Sequence, residues 1–98
     1  MPTGLLEAIR KELRRRSRQA LDGPGWRRAS VLVPLYLRDG DLYLLFTKRT
    51  EHLRHHKGQI CFPGGGQHDR DTSPQGTALR EAQKEVGIQA EDVELLGA

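Results

Sequence analysis

Between Phe62 and Ile88 the chain reads FPGGGQHDRDTSPQGTALREAQKEVGI, a glycine turn that leads into a helix-forming stretch carrying acids. After Pro74, Leu79, Ala82 and Val86 recur at intervals of three and four, so a helix is expected with that narrow apolar face packed on a sheet. Gly87 stands where such a helix stops. At 100° per residue, Glu81 and Glu85 fall within about 40° of each other and roughly 120° from the centre of the apolar face. The two carboxylates are therefore expected to share an exposed side. Four-residue spacing brings their Cβ atoms to about 6 Å, close enough to hold one hard divalent cation or two adjacent ones. Magnesium suits such oxygen ligands. Gly64, Gly65 and Gly66 let the backbone approach, so that a main-chain carbonyl can add a metal ligand or an amide can meet a phosphate.

The chain's 98 residues allow one domain with a modest core and exclude a second. Sixteen basic against 13 acidic side chains leave a charge of only +3. Twelve of the basic residues are Arg, the residue suited to bidentate phosphate recognition, so the balance fits a polyanionic small molecule without requiring nucleic acid. A single Cys, the lack of a run long enough to span a bilayer and the lack of a signal-peptide pattern predict a soluble cytoplasmic protein with no membrane partner.

Residues 3–21 read as an amphipathic helix, with Leu5, Leu6, Ile9, Leu13 and Ala20 on one stripe, arginines outside it and Thr3 as a candidate cap. The arginine run lacks interleaved aromatics and reads as a solvated face rather than a nucleic-acid surface. Asp22-Gly23-Pro24-Gly25 breaks this helix. Val31–Leu37 and Leu42–Thr47 read as strands joined by a hairpin turn at Asp39-Gly40, with Pro34 marking an edge or a bulge. Ile60–Phe62 reads as a short buried strand, and Val93–Leu96 as the beginning of another. His52, His55 and His56 with Cys61 match none of the common zinc spacings. Cys61, between Ile60 and Phe62, is expected to be a small buried hydrophobe rather than a nucleophile.

The glycine-to-helix stretch resembles the Nudix box, in which Gly, five residues, Glu and seven residues precede Arg-Glu-apolar-x-Glu-Glu-x-Gly-apolar. Arg80-Glu81-Ala82-Gln83-Lys84-Glu85-Val86-Gly87-Ile88 follows the second half, with Lys84 at the first Glu of the Glu-Glu pair. Counting back puts Gly66 at the pattern's Gly and Thr72 at its Glu, with Asp69 and Asp71 as neighbouring loop acids. Upstream, Leu45-Phe46-Thr47-Lys48-Arg49-Thr50, Arg54, Gly58 and Phe62-Pro63-Gly64-Gly65 resemble the signature of the coenzyme A diphosphatase branch, with Phe46 in place of a Leu.

This resemblance implies an α/β fold, a Nudix-type α/β/α sandwich around a mixed sheet, of which residues 1–98 form the N-terminal portion. It implies hydrolysis of CoA or an acyl-CoA to 3′,5′-ADP and 4′-phosphopantetheine or its acyl form, with Mg²⁺ or Mn²⁺ as cofactor. Glu81, Glu85 and the Gly65 carbonyl would hold the metal, and Arg80 would orient one of the two glutamates. Arg49, Arg54 and Lys57, with Gly64 and Gly65, would meet the substrate phosphates. The partners expected are a CoA-like nucleotide and, through a sheet left open, a second copy of the chain. Two alternatives carry different tests: a Nudix hydrolase of another nucleoside diphosphate derivative, and a catalytically silent binding module suggested by Lys84.

Overall fold

The computed structural model describes residues 2–19, 23–25, 27–48 and 58–98. Helix α1 spans Pro2–Arg15. The strands are β1 (Ala29–Val31), β2 (Leu35–Arg38), β3 (Asp41–Leu44), β4 (Thr47–Lys48), β5 (Ile60–Cys61) and β6 (Gly64–Gly66). Helix α2 follows at Pro74–Val86, with one 3₁₀ turn at Ala90–Asp92. The strands pair antiparallel as three ribbons, β1 with β6, β2 with β3 and β4 with β5. These helices and small ladders are the elements of an incomplete α/β sandwich, and no mixed sheet is assembled among the described residues.

Helix α1 ends earlier than the reading of 3–21. It starts at Pro2, so Thr3 lies inside the first turn rather than ahead of it. Residues 16–19 are not helical, and residues 20–22 lie outside the described set. The apolar stripe has its last described member at Leu13, and beyond it Arg15 and Arg16 turn back to pair with Glu12. Isolated helix this short needs tertiary packing to persist. Leu13 supplies it by lying against Gly97, and Arg10 forms an ion pair with Glu94. No described helix is long and apolar enough to cross a membrane.

The β2–β3 hairpin turns at Asp39 and Gly40 as expected, both with positive φ (52° and 84°), the pattern of a type I′ turn. Tyr36 and Tyr43 are cross-strand partners and stack with ring centroids 5.4 Å apart. The single expected strand Val31–Leu37 is divided. Leu32–Pro34 leave the ladder ahead of β2, because Pro34 has no N–H to donate, while its carbonyl accepts from the Leu45 amide at 3.2 Å. Ile60 forms a strand but is 70% exposed, against the expectation of burial, since β5 sits in a two-residue ribbon with β4. Cys61 is half-buried, and the Thr47 hydroxyl donates to its carbonyl at 3.1 Å. Residues 93–96 are not a strand: the chain runs on from the 3₁₀ turn without a ladder partner among the described residues.

Helix α2 lies on the β1–β6 ribbon, and the composition of that ribbon decides which helical face is buried. Ala29, Ser30 and three glycines present almost no side chain, so the helix comes close and only small residues fit beneath it. Thr77 and Ala82 are fully buried, Ala78 nearly so, and Glu81 retains 7% of its surface. The buried face is therefore Thr77, Ala78, Glu81 and Ala82. Leu79 and Val86, expected to face the sheet, are only half-buried on its flank.

Candidate active site

The site begins with the cap of α2. Ser73 takes an extended backbone and accepts the Gly76 amide on its hydroxyl at 3.0 Å, with Pro74 at the first helical position. At the other end Gly87 takes a left-handed conformation (φ 74°), and its amide returns to the Gln83 carbonyl at 3.0 Å. Helix α2 is thereby fixed at both ends.

Arg80 ties three elements together. Its Nε and Nη2 donate to the two carboxylate oxygens of Asp71, each at 3.0 Å. Nη2 also donates to the Gly66 carbonyl at 3.0 Å, and Nη1 to Glu81 Oε1 at 2.9 Å. The forked guanidinium thus joins the loop, the end of β6 and α2 in one plane of charge-assisted bonds. Asp71 Oδ2 further accepts the His68 amide at 2.8 Å and the Thr77 hydroxyl at 2.9 Å. The Arg80 hydrogen bonds above all, then the His68 amide and Thr77, hold the Asp71 carboxyl far below the usual carboxylate range. Arg80 is raised in turn, chiefly by Asp71.

Glu81 is buried because its stem crosses β6 at Gly65. A Cβ built on Gly65 would lie 2.7 Å from Glu81 Cδ and 3.0 Å from Oε1. Gly64 has a different reason to be glycine: a Cβ there would lie 2.3 Å from the Ser30 carbonyl oxygen, inside the strand pairing. Glu85, one turn after Glu81, falls near the centre of the same buried face by helical angle, yet is exposed. The two glutamates share a side, as their spacing predicts. Glu81 is turned toward the glycine strand and buried, which corrects the expectation of exposure for that residue, while Glu85 is exposed as expected.

Among the described residues no three His, Cys, Asp or Glu side chains are grouped for a metal ion. The donor chemistry nevertheless fits a hard divalent cation. Arg80 uses only Oε1 of Glu81, which leaves Oε2 together with the Glu85 carboxylate, and magnesium is commonly held by one or two carboxylates with waters and substrate phosphates completing the shell. Asp71 is not a spare metal ligand for the position held by Thr72, because both of its oxygens are engaged. Asp69 instead lines an open depression with Arg27, Gln67, His68 and Arg70. Lys84 is exposed on the last turn of α2. Arg49, Arg54 and Lys57, and the histidines 52, 55 and 56, lie outside the described residues.

Asp71 and Thr77 are the members of this arrangement that the sequence reading gave no positioning role. A signal for them was present in Ser73-Pro74, a helix start that folds the preceding loop back across the first turn.

The model of the NUDIX domain matches residues 26–98, which include every part of this arrangement. The chain belongs to the Nudix family. It is 42% identical to mouse peroxisomal coenzyme A diphosphatase NUDT7 over 104 aligned residues, covering 97% of this chain and 44% of the mouse protein. It is 50% identical to Nudix hydrolase 3 of Caenorhabditis elegans over 69% of this chain and 28% of that protein. It is 51% identical to the uncharacterized Nudix hydrolase NudL of Yersinia pestis, strain Pestoides F, over 72% of this chain and 35% of that protein. The chain thus spans less than half the length of each of these Nudix relatives.

Proposed function

We propose that this chain forms part of a Nudix hydrolase that cleaves the diphosphate of CoA or an acyl-CoA to 3′,5′-ADP and the 4′-phosphopantetheine moiety. The observation that carries the reading is the Glu81 carboxylate, pinned between Arg80 and Gly65 with Glu85 one helical turn away. The substrate is supported by the upstream signature from Leu45 to Gly65 and by the name of the mouse relative.

Glu81 and Glu85, with the Gly65 carbonyl, would hold Mg²⁺ or Mn²⁺, hard ions suited to oxygen donors. When bound, such an ion supplies charge that stabilises the diphosphate and lowers the pKa of a coordinated water. Arg80 donates to Glu81 Oε1 and fixes its rotamer, so the carboxylate needs no reorganisation when substrate arrives. Asp71 fixes Arg80 in the same way. Gly64 and Gly65 keep the strand beneath bare, and Arg49, Arg54 and Lys57 are the residues proposed to meet phosphate.

Incubation of the chain with CoA and Mg²⁺ or Mn²⁺, with products separated by mass, tests the assignment. Equal amounts of 3′,5′-ADP and 4′-phosphopantetheine are expected. Release from other nucleoside diphosphate derivatives but not from CoA would move the substrate elsewhere in the family. The competing reading of a silent binding module draws on Lys84, and calorimetry showing no Mg²⁺ or Mn²⁺ site would favour it.

A further inference from the structure

We propose that the depression at the end of the β1–β6 ribbon is a subsite for a phosphate monoester of the substrate, separate from the diphosphate that is cut. This rests on the reading of a phosphorylated nucleotide substrate given above. Its walls are Arg27 on the segment entering β1 and Gln67, His68, Asp69 and Arg70 on the segment leaving β6. Neither Arg27 nor Arg70 has an ion-pair or hydrogen-bond partner among the described residues, so both guanidinium groups are available to a ligand. In contrast, Arg80 on the neighbouring helix makes four hydrogen bonds within the protein.

The two walls are held in place by main-chain bonds. The Gln67 amide donates to the Arg28 carbonyl at 2.8 Å, which joins the sides across the ribbon end. The Asp71 amide donates to the His68 carbonyl at 3.0 Å, and the His68 amide donates to Asp71 Oδ2 at 2.8 Å. Through Asp71 and Arg80 this turn is linked to Glu81, so the depression keeps a set position relative to the carboxylate pair.

The charges on the rim fit a dianion. A phosphate monoester carries between one and two negative charges near neutral pH and offers three acceptor oxygens, which match two forked guanidinium groups. The His68 imidazole has a donor in either protonation state. Asp69 lies on the same rim, so Arg27 and Arg70 outweigh one carboxylate, and removing both arginines reverses the sign of the site. In CoA the group of this kind that lies apart from the diphosphate is the 3′-phosphate of the ribose.

Calorimetric titration of 3′,5′-ADP and 5′-AMP into the chain and into Arg27→Gln, Arg70→Gln and the double variant tests the subsite. The chain should bind 3′,5′-ADP about tenfold or more tighter than 5′-AMP, since a charge-assisted pair of hydrogen bonds is worth at least one factor of ten. The double variant should lose that preference with 5′-AMP affinity unchanged. Both side chains are exposed, so melting curves should superimpose, and the single variants carry the test if the double variant does not fold. An equal preference in chain and variants, or no preference in the chain, overturns the proposal. A preference that disappears in the variants, in a chain that releases no 4′-phosphopantetheine from CoA, upholds the subsite and removes the CoA reading instead.

Discussion

Glu81 lies across Gly65, with its Cδ 2.7 Å from where a Cβ on that glycine would stand. The contact is possible only because residue 65 has no side chain, and it places the carboxylate of a buried helical residue at the edge of strand β6. Gly65→Ala should therefore displace Glu81 rather than strain the backbone, since Gly65 is not among the glycines with positive φ. A displacement near 1 Å in a positioned group lowers turnover by about a hundredfold. CoA cleavage by the alanine variant, with Mn²⁺ binding followed in parallel, checks this, and unchanged turnover would show that Glu81 has room to move.

Asp71→Asn should weaken both stability and turnover, because Arg80 loses its two-oxygen partner and with it the hold on Glu81. The sign of the pH dependence follows from the lowered carboxyl. Its folded value lies below the ordinary 3.8, so its contribution is fully present above that pH and declines as pH falls toward the folded value. Thermal denaturation of both proteins should show a constant gap from pH 7 to about 5 that narrows below about pH 4. A gap independent of pH would mean that the ionised carboxylate is not what stabilises the clamp.

Glu81→Gln and Glu85→Gln should both reduce hydrolysis by about a hundredfold or more if the pair holds the metal. They should differ in stability. Glu85 is exposed, so its variant stays within about 0.5 kcal/mol of the parent. Glu81 is buried and paired with Arg80, so its variant should unfold at a lower urea concentration. Urea titrations of the two variants separate these roles, and identical midpoints would argue against the Arg80–Glu81 link as a structural bond.

Lys84→Glu should lower the Mg²⁺ concentration needed for half-maximal activity, because Lys84 is one turn from Glu81 and its cation opposes a divalent ion nearby. A unit charge about 5 Å from such an ion is worth roughly 1.7 kcal/mol even at the dielectric of water, more than a factor of ten. The change has an opposing effect on the helix: a cation in the last turn favours the dipole, and replacing it with an acid costs about 0.3 to 1 kcal/mol. Activity against Mg²⁺ for both proteins checks the sign, and superimposable curves would show that the ammonium stays in solvent.

The buried apolar side chains among the described residues are Pro63, Ala78 and Ala82, while Val31, Val33, Leu37, Leu44, Phe46 and Ile60 are at least 45% exposed. Apolar surface of this kind favours association. Sedimentation velocity should show the mean coefficient of the 98-residue chain rising with concentration, and a single monomeric boundary at all concentrations would contradict it.

The punctuation of the chain is written locally. Ser73-Pro74 and Gly87 start and stop α2, and Asp39-Gly40 turn the β2–β3 hairpin, because caps and tight turns are decided by the dihedral preferences and hydrogen bonds of a few adjacent residues. The spacing of Glu81 and Glu85 on one side of the helix was legible for the same reason, as was the glycine run that meets it. Which side is buried depends instead on the strand that the helix meets. Apolar periodicity pointed to Leu79 and Val86, but a strand of glycines draws the helix so close that Thr77, Ala78, Glu81 and Ala82 fill the contact. The partner of Arg80 was likewise settled by the fold. Asp69 and Asp71 are equivalent acids in the sequence, and the return of the loop over the first turn of α2 brings Asp71 to the guanidinium while Asp69 is left beside Arg27 and Arg70. Hydrogen bonds between residues nine apart depend on where the intervening chain folds, and no local pattern encodes that.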